Sequence, residues 1–402
     1  MVMHLDMNSY FATVEQQCDP FLRGKPICIA GKGKNERTVC AAASIEAKKF
    51  GVKSSTSAWE AKALCPDIIL VPPDFEKYQF ISRKVFAILE EYSPTIEIFS
   101  IDEAFADLSH IKTYTEAAVL AQEIKFRIRN EIGEYLKCSV GLAENKLLAK
   151  LASEMQKPDG LTIIKRHHVK DILDKTPIEE LCGIGSRLQL RLNSLGIKMV
   201  GELGAYSLEN LIQLFGPHSG KHLKQMGQGI DSSPIISYRD FPAEKSFGHS
   251  YTLPKDISDI NEAKKVLLKL SEKVGRRMRK AGVFGKTIHV YLRFFDFTGF
   301  GKQASGAYLQ NGYDIYQAAL KILESNPSKR PIRLIGVSVS NLKNARQVNQ
   351  VLFLDKQKEE KALNATDKIN DHFGEFTIFR SSLVKIKDRI QNIPDGRNKR
   401  LM

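Results

Sequence analysis

Apolar and polar positions over residues 1–165 follow a pattern that predicts a mixed sheet with packed helices. The apolar run at 1–6 is typical of a short buried strand, and 95–109 predicts two short strands that meet at Asp102 and Glu103. The remaining elements predicted here are helices over 76–92, 115–136 and 145–155 and a strand over 137–142. The order β-α-β-β-α-β indicates a split βαβ sheet with its helices on one face.

The rest of the chain predicts a small helical domain followed by a second sheet domain. Glycines punctuate short helical patterns from about 170 to 235, and the polar, proline-bearing stretch 232–245 predicts a linker. A second β-α-β-β-α-β pattern follows, with elements predicted over 246–253, 260–281, 286–297, 303–309, 312–325 and 331–341. The polar residues 351–402 predict one or two loosely packed helices.

Length and composition are those of a globular protein with several domains. The chain has 402 residues, and a usual domain has roughly 100–200. Its hydrophobic fraction is 43%, and no segment approaches the roughly 18 apolar residues of a membrane span. The N-terminal VMHLD predicts a strand and not a targeting signal. The six cysteines form no CxxC pair, which argues against a zinc site or a disulfide framework and favours a reducing cytoplasm.

The net charge of +14 is concentrated in one part of the chain. Residues 1–240 carry 30 basic and 30 acidic side chains, whereas 241–402 carry 30 basic and 16 acidic ones. Such an uneven distribution suits a polyanionic partner, most simply nucleic acid. A basic surface that only aids solubility explains the charge equally well.

Acidic residues stand where the predicted strands of the first sheet end. Asp6 closes the first strand, and Asp102 and Glu103 lie between the next two. Clustered carboxylates bind hard cations such as Mg²⁺ or Mn²⁺, and two such ions about 4 Å apart can serve phosphoryl transfer. By spacing alone, solvated turn residues are the commoner explanation.

Five stretches of the sequence, taken in order, resemble the Y-family DNA polymerases over nearly the whole chain. They are LDMNSYFATVE (5–15), YSPTIEIFSIDEAFADL (92–108), VGLAENKLLAKLASEMQKPDG (140–160), CGIGSR (182–187) and KSFGHSYTLP (245–254). The resemblance implies template-directed, low-fidelity DNA synthesis past lesions, with primer-template DNA and deoxynucleoside triphosphates as substrates. It also implies two Mg²⁺ ions, with Mn²⁺ as a substitute, and we expect a cytoplasmic monomer without membrane contact.

The fold implied is a multidomain α+β polymerase shaped like a right hand. It has a ferredoxin-like palm, small fingers, a helical thumb with a helix-hairpin-helix, and a βαββαβ little finger. The boundaries predicted are palm 1–20 and 75–165, fingers 21–74, thumb 166–235, linker 236–244, little finger 245–350 and a C-terminal helical tail 351–402.

The resemblance also assigns roles to residues of the palm. Asp6, Asp102 and Glu103 match the catalytic metal ligands, assisted by the main-chain carbonyl of Met7. Phe11 matches the steric gate, a ring that would clash with a ribose 2′-hydroxyl, although Phe11 and Tyr10 could instead simply pack beneath the sheet. Lys157 matches the lysine that reaches the incoming triphosphate.

The fingers depart from the polymerase IV pattern. Members of that branch have Thr, Tyr and Arg where this chain has Ala42, Ile45 and Lys48. Lys48 can still neutralise phosphate charge, but it lacks the bidentate fork of arginine. EAKKFGVK and FADL resemble the UmuC-like branch, so the sequence lies between the two branches.

Residues that would bind DNA lie in the thumb and the basic second half. Gly183 and Gly185 precede a helix and would let main-chain N–H groups approach a phosphate, although a simple corner between two helices is equally compatible. Predicted helix 260–281 is mostly positive outside its apolar stripe, which favours a phosphate-facing surface that includes Lys264, Lys265, Lys273, Arg276 and Arg277. QVNQVLF (347–353) is a degenerate match to peptides that bind the sliding clamp, and an ordinary strand end explains it as well.

Two other functions are compatible with parts of the pattern. A catalytically weak DNA-binding or scaffold protein could keep this fold, and the altered fingers residues fit that idea. A cyclase-like enzyme could use the same two-metal palm without a template. The intact Asp6, Asp102 and Glu103 argue against the first, and the basic sheet domain would be unexplained by the second.

Overall fold

The computed structural model describes residues 1–31, 37–327, 330–347 and 354–386. These form two compact units, one comprising Met1–Phe241 and the other beginning at Pro242. The boundary lies within the linker predicted at 236–244, whereas the finer division into palm, fingers and thumb stays a prediction. No helix in these ranges is long and apolar enough to cross a bilayer.

Twelve strands and fourteen α-helices form the regular structure of the described residues. The strands are β1 (Val2–Met7), β2 (Ile27–Ile29), β3 (Ala42–Ala43), β4 (Ile69–Val71), β5 (Ile96–Ile98), β6 (Glu103–Asp107), β7 (Cys138–Ala143), β8 (Leu161–Ile163), β9 (Ser246–Ile257), β10 (Val283–Phe294), β11 (Gly299–Leu309) and β12 (Ile332–Asn344). The helices are α1 (Tyr10–Cys18), α2 (Ile45–Lys48), α3 (Ala58–Leu64), α4 (Phe75–Tyr92), α5 (Tyr114–Arg127), α6 (Lys146–Met155), α7 (Val169–Leu173), α8 (Ser186–Asn193), α9 (Val200–Ala205), α10 (Leu208–Phe215), α11 (Pro217–Gly227), α12 (Ile260–Lys280), α13 (Gly312–Glu324) and α14 (Leu354–Phe373). The elements predicted from the apolar pattern of the two sheet domains are present, except that the helix predicted to reach 136 ends at Arg127 in a π-helical turn.

The central sheet of the first unit has the strand order β5-β6-β1-β7-β8. β1 is antiparallel to both β6 and β7, which is the ferredoxin-like arrangement, and β8 extends it in parallel to β7. Met3, Leu5 and Met7 point to one face and join the core with α4 and α5. Val2 and Phe105 point to the other face and pack with α6. The two helices of the predicted β-α-β-β-α-β pattern, α4 and α5, therefore lie on one face as predicted, and α6, which follows the last strand of that pattern, covers the other.

Two smaller structures complete the first unit. A three-stranded sheet, β3-β2-β4, packs with α2 and α3 around small buried side chains such as Cys28, Ala43 and Ala61. Helices α7 to α11 form a bundle in which α9 and α11 cross in close contact. A Cβ on Gly204 would lie 2.3 Å from the carbonyl oxygen of Gly227, so this crossing requires glycine.

The second unit is built on an antiparallel sheet with the order β11-β10-β12-β9. Helices α12 and α13 cover one face, where Val266, Leu270 and Val274 meet the inward side chains of the sheet. Helix α14 follows the last strand and is joined to α12 by ion pairs.

Candidate active site and nucleic-acid surfaces

Main-chain pairing brings the three predicted metal-binding residues to one point of the first sheet. Asp6 on β1 lies opposite Glu103 on β6 in the antiparallel register. The N–H of Met7 donates to the carbonyl of Asp102 at 2.9 Å. Because opposed residues of antiparallel strands lie about 5 Å apart at Cα, two stretches that are distant in sequence converge here.

Asp6 is a buried carboxylate whose partner is a lysine. Its side chain is 13% exposed, and Oδ1 lies 2.8 Å from Nζ of Lys157. Burial raises the pKa of Asp6 to about 6, although the charge and hydrogen bond of Lys157 act in the opposite direction. The nearby Asp102 carboxylate adds to the increase. Negative charge at Asp6 is therefore incompletely balanced.

Asp102 lies in a similar environment. Burial raises the pKa of Asp102, and the hydrogen bond that Ser100 Oγ donates to its Oδ1 offsets only part of that effect. The adjacent Glu103 carboxylate raises the pKa of Asp102 further. An additional cation beside Asp6 and Asp102 would stabilise both charged forms.

Glu103, by contrast, is well compensated by neighbouring groups. Its Oε2 forms an ion pair with Lys150 of α6 and lies 3.2 Å from Nε2 of the buried His4. Burial would raise the pKa of Glu103, but His4 and Lys150 outweigh it and lower that pKa to about 2. Nδ1 of His4 is 2.8 Å from Ser153 Oγ, which fixes the ring.

Within the described ranges, no three His, Cys, Asp or Glu side chains converge closely enough to hold a metal ion by themselves. Two lysines face these carboxylates instead, since Lys157 is paired with Asp6 and Lys150 with Glu103. The donors nevertheless fit a hard divalent cation. Asp6 and Asp102 supply largely buried carboxylates whose pKa values are raised, and a bound Mg²⁺ or Mn²⁺ ion would stabilise their charged forms.

The loop that carries Lys157 is fixed to the end of β1. The side-chain carbonyl of Asn8 accepts a hydrogen bond from the N–H of Asp159 at 2.7 Å, and its amide donates to Ser139 Oγ at 3.0 Å. Lys125 pairs with Asp159 at 3.1 Å. The position of Lys157 relative to the carboxylates thus depends on Asn8.

Phe11 lies on the ring of Tyr78 and remains partly exposed. The two rings are nearly parallel, with centroids 4.3 Å apart, and Phe75 meets Phe11 edge-on at 5.9 Å. The Tyr78 hydroxyl donates to Glu15 at 2.8 Å, which fixes the Tyr78 ring. Tyr10 is 3% exposed, and its hydroxyl donates to the carbonyl of Tyr78. Of the two adjacent aromatic residues, Phe11 is the one that reaches the surface.

Lys48 ends the short helix α2. Surrounding protein lowers the pKa of Lys48, the charge of Lys157 lowers it further, and Asp6 acts in the opposite direction. The charges of Lys157 and Asp6 therefore both affect the Lys48 ammonium, although Lys48 as a whole is exposed. Ala42 in β3 and Ile45 in α2 have no polar side-chain atoms, so among these three fingers positions only Lys48 has a side chain that can contact phosphate.

Comparison with known proteins places this geometry in a family. The impB/mucB/samB family matches residues 5–154, its C-terminal domain matches 244–351, and a domain described as the DNA polymerase-iota thumb matches 179–231. A protein of Pelotomaculum thermopropionicum named DNA polymerase IV is 38% identical over 94% of both chains. The chain belongs to the Y family of DNA polymerases.

Further relatives agree with this assignment. DNA polymerase IV 1 of Bacillus subtilis is 35% identical over 96% of this chain and 93% of its own. A solved Y-family DNA polymerase chimera of Dbh and Dpo4 superimposes with a TM-score of 0.75 at 28% identity, covering 85% of this chain and 98% of the chimera. This polymerase is a DNA-directed enzyme of translesion synthesis, and its family depends on divalent metal ions. The curated relatives are named polymerase IV despite the UmuC-like residues in the fingers of this chain.

In the thumb of the polymerase, the predicted glycines lie directly before α8. Gly183 has a φ of +101°, a conformation that favours glycine, and Gly185 is the N-cap residue of the helix. A Cβ on Gly185 would meet nothing within 4 Å, so its main chain faces open space. A groove of about 900 Å³ runs past Gly183 and Cys182 to Phe99 and Lys150 of the palm.

The basic helix α12 differs from its prediction, because most of its predicted DNA-binding residues are paired within the protein. Lys273 is 1% exposed and pairs with Glu375, and Arg276 pairs with Asp371 at 2.6 Å. Lys264 pairs with Glu324 of α13. Arg277 donates to the carbonyl of Gly248 and lies over the ring of Phe247, while Lys265 is exposed.

Helix α14 and the turn that follows it account for the pairing of Lys273 and Arg276. Asp367, Asp371 and Glu375 recur at a spacing of four along α14 and the turn that follows it, and they face Arg279, Arg276 and Lys273 of α12 in reverse order. The apolar stripe of α12 was visible in its sequence, but the acidic partner lies about a hundred residues away. The prediction of a phosphate-facing surface is therefore wrong for Lys273, whose ammonium is covered.

The uncovered face of the second sheet has a different character. His289 and Tyr291 of β10 point away from the core that Val290 and Leu292 join. Their neighbours across the sheet are small or polar, with Tyr291 between Gly301 and Gly336 and His289 between Gln303 and Ser338. Arg293 lies over the Tyr291 ring at 5.9 Å. Small and polar residues of this kind would let a phosphate backbone approach the sheet closely.

Sequence inspection missed several residues that shape the active site. Lys150 lies inside the stretch 140–160 and His4 directly precedes the stretch 5–15, yet only the folded structure shows that both face Glu103. Tyr78 carries no motif, and its place under Phe11 follows from the packing of α4 against α1. The segment 347–353, considered as a clamp-binding peptide, falls outside the described residues apart from Gln347.

Proposed function

We propose that this Y-family polymerase holds two Mg²⁺ ions with Asp6, Asp102 and Glu103 and the main-chain carbonyl of Met7. The observation that carries the proposal is the register that sets Asp6 against Glu103 while Met7 is hydrogen-bonded to Asp102. When bound, such ions activate the primer 3′-hydroxyl and stabilise the charge of the leaving pyrophosphate. The chain itself positions the oxygens, and His4 and Lys150 keep Glu103 deprotonated.

In this proposal, Lys157 and Lys48 bind the triphosphate of the incoming nucleotide. Lys157 is paired with Asp6 in the protein alone, and a cation bound at Asp6 would repel its ammonium. The loop held by Asn8 keeps Lys157 close by, so its charge can pair with the triphosphate that arrives with the metal. Lys48 supplies a second ammonium on the fingers side.

Phe11 would form the floor below the sugar of the incoming deoxynucleotide. Its ring cannot move down, since Tyr78 lies in van der Waals contact beneath it and is itself hydrogen-bonded to Glu15. A ribose 2′-hydroxyl would therefore clash with the Phe11 ring, which Tyr78 holds in place. The small fingers, with Ala42 in β3 and Ile45 in α2 in place of polar contacts, support loose enclosure of the base pair and hence tolerance of lesions.

Duplex DNA would contact the main chain at Gly183 and Gly185 and the uncovered sheet face of the second unit. Gly185 has open space at its Cα, and the sheet face carries Arg293 and small residues that allow close approach. On α12, Lys265 is the exposed member of the predicted set. A monomeric state and a cytoplasmic location stay predictions.

The proposed ligand set can be tested by Mn²⁺ binding, measured by electron paramagnetic resonance without DNA or nucleotide. Asp6→Asn and Asp102→Asn should each weaken Mn²⁺ binding at least about 10-fold, since each removes a charged oxygen ligand. Asp107→Asn, on the same strand as Glu103 but at its far end, is the matched control. Unchanged binding in both active-site variants would contradict the ligand set.

Mn²⁺ binding should also depend on pH in a defined direction. Because the pKa of Asp6 is raised to about 6, its carboxylate is protonated as the pH falls below that value, and protons then compete with the metal. Affinity should decrease by up to about tenfold per pH unit below pH 6 and level off above it. Asp6→Asn should flatten this dependence, and an equally steep profile in that variant would assign the titration to another group.

DNA contact by the second unit can be tested from the salt dependence of binding to primer-template DNA. Arg293→Gln should reduce the slope of log K against log salt by about 1, the loss expected for one phosphate contact. Arg276→Gln serves as the comparison, because Arg276 is already paired with Asp371. If Arg276→Gln alone reduced the slope, α12 and not the sheet face would be the contact surface.

A further inference from the structure

We propose that Lys150 exchanges partners during the reaction cycle, pairing with Glu103 in the metal-free protein and with a terminal phosphodiester of the primer once metal is bound. The proposal rests on the metal-ligand role of Glu103 given above. It assigns to Lys150 a primer-binding role that couples metal binding to affinity for the primer end.

Lys150 is placed between the carboxylates and the groove. Its ammonium forms an ion pair with Oε2 of Glu103 and lies 5.0 Å above the ring of Phe99. The side chains of Lys150 and Glu103 are 15% and 14% exposed, so the pair is largely shielded from water. The same lysine lines the groove of about 900 Å³ that passes Gly183 of the thumb.

Other cations that line this groove are held by groups that metal binding would not remove. Lys146 pairs with Glu97 at 3.0 Å and donates to the carbonyl of Pro234. Arg191 lies over the Phe215 ring and donates to the carbonyl of Leu214. Lys150 differs from both, because its partner is the Glu103 carboxylate, to which a divalent ion would bind.

Electrostatics then determines what happens to Lys150. A divalent ion at Glu103 places two positive charges within a few ångströms of the ammonium, in a site with little water to screen the repulsion. The long, flexible stem of lysine allows the ammonium to turn away from Glu103 into the groove. The anion expected there is the phosphodiester of a strand whose backbone passes the glycines before α8.

Two measurements on Lys150→Met, which keeps most of the stem and removes the charge, should change in opposite directions. Mn²⁺ binding to the DNA-free protein should tighten about 10-fold, because the metal no longer displaces an ammonium. The primer-template concentration at half-maximal extension should rise about 10-fold, while KM for the nucleotide stays unchanged. Lys150→Arg should restore primer affinity, and Lys146→Met, one turn earlier on α6, should leave Mn²⁺ affinity unchanged.

The outcomes that overturn the proposal are distinct. Unchanged Mn²⁺ affinity in Lys150→Met would show that Lys150 does not compete with metal. Tighter Mn²⁺ binding without weaker primer binding would show that the released ammonium has no phosphate partner. Weaker Mn²⁺ binding together with a lower melting temperature would assign Lys150 a purely structural role. The metal-ligand proposal fails separately, if Asp6→Asn and Asp102→Asn bind Mn²⁺ as the wild type does.

Discussion

Replacing Asp102 with asparagine should reduce the rate of primer extension at least about 10³-fold, because a ligand of the catalytic metals loses its charge. Asp102 lies beside Met7 and Asp6 at the point where β1 meets β6, and its buried carboxylate has few other ways to balance its charge. The variant keeps the side-chain shape, so the hydrogen bond with Ser100 can persist. Single-turnover extension of a labelled primer on a defined template measures the change.

Asp107→Asn is the control for this experiment, since Asp107 ends the strand that begins directly after Asp102 and its carboxylate caps a turn at Ser109. It should extend primers at a rate close to that of the wild type. DNA binding by Asp102→Asn should also be retained, because the proposed DNA contacts lie elsewhere. Extension by Asp102→Asn within about tenfold of the wild-type rate would rule out a catalytic role for this carboxylate.

Phe11→Ala should increase incorporation of ribonucleotides relative to deoxynucleotides about 10²-fold. The wild-type ring is supported from below by Tyr78, so a 2′-hydroxyl would have to displace two stacked rings. Alanine removes that obstacle and leaves space beneath the sugar. The ratio of kcat/KM for a ribonucleotide and for the matching deoxynucleotide measures the effect.

Phe80→Ala is the matched control, because Phe80 lies on the same helix as Tyr78 but is 52% exposed. Its ratio of ribonucleotide to deoxynucleotide incorporation should equal that of the wild type. An unchanged ratio in Phe11→Ala would mean that the exposed part of the ring faces something other than the sugar.

Sequence alone was sufficient where a signal was local. The apolar run at 1–6 and the helical spacing of 76–92 and 260–281 predicted β1, α4 and α12 with ends correct to within about two residues. Family motifs supplied Asp6, Asp102 and Glu103, and the structure shows why these distant stretches meet, since β1 lies between β6 and β7.

Contacts between distant elements were beyond a sequence-based prediction. The lysine that neutralises Glu103 is on α6 and the one beside Asp6 is on the following loop, and no spacing rule assigns one to each carboxylate. On α12, a run of positive residues was interpreted as a solvent-facing surface. Lys273 is instead buried against Glu375, because the charge pattern of a helix does not show which other helix packs on it.

The ion pairs between α12 and α14 bear on how the second unit should be isolated for study. The match to the family's C-terminal domain ends at residue 351 of this chain, before α14 begins. A fragment cut there would lose Asp367, Asp371 and Glu375, and it would leave Arg279, Arg276 and Lys273 of α12 without these carboxylate partners. Such a fragment would also lose the apolar contacts of Leu383 with the domain core. DNA affinity measured on it would not represent the intact domain, because three cations that the intact protein pairs with carboxylates would lack those partners.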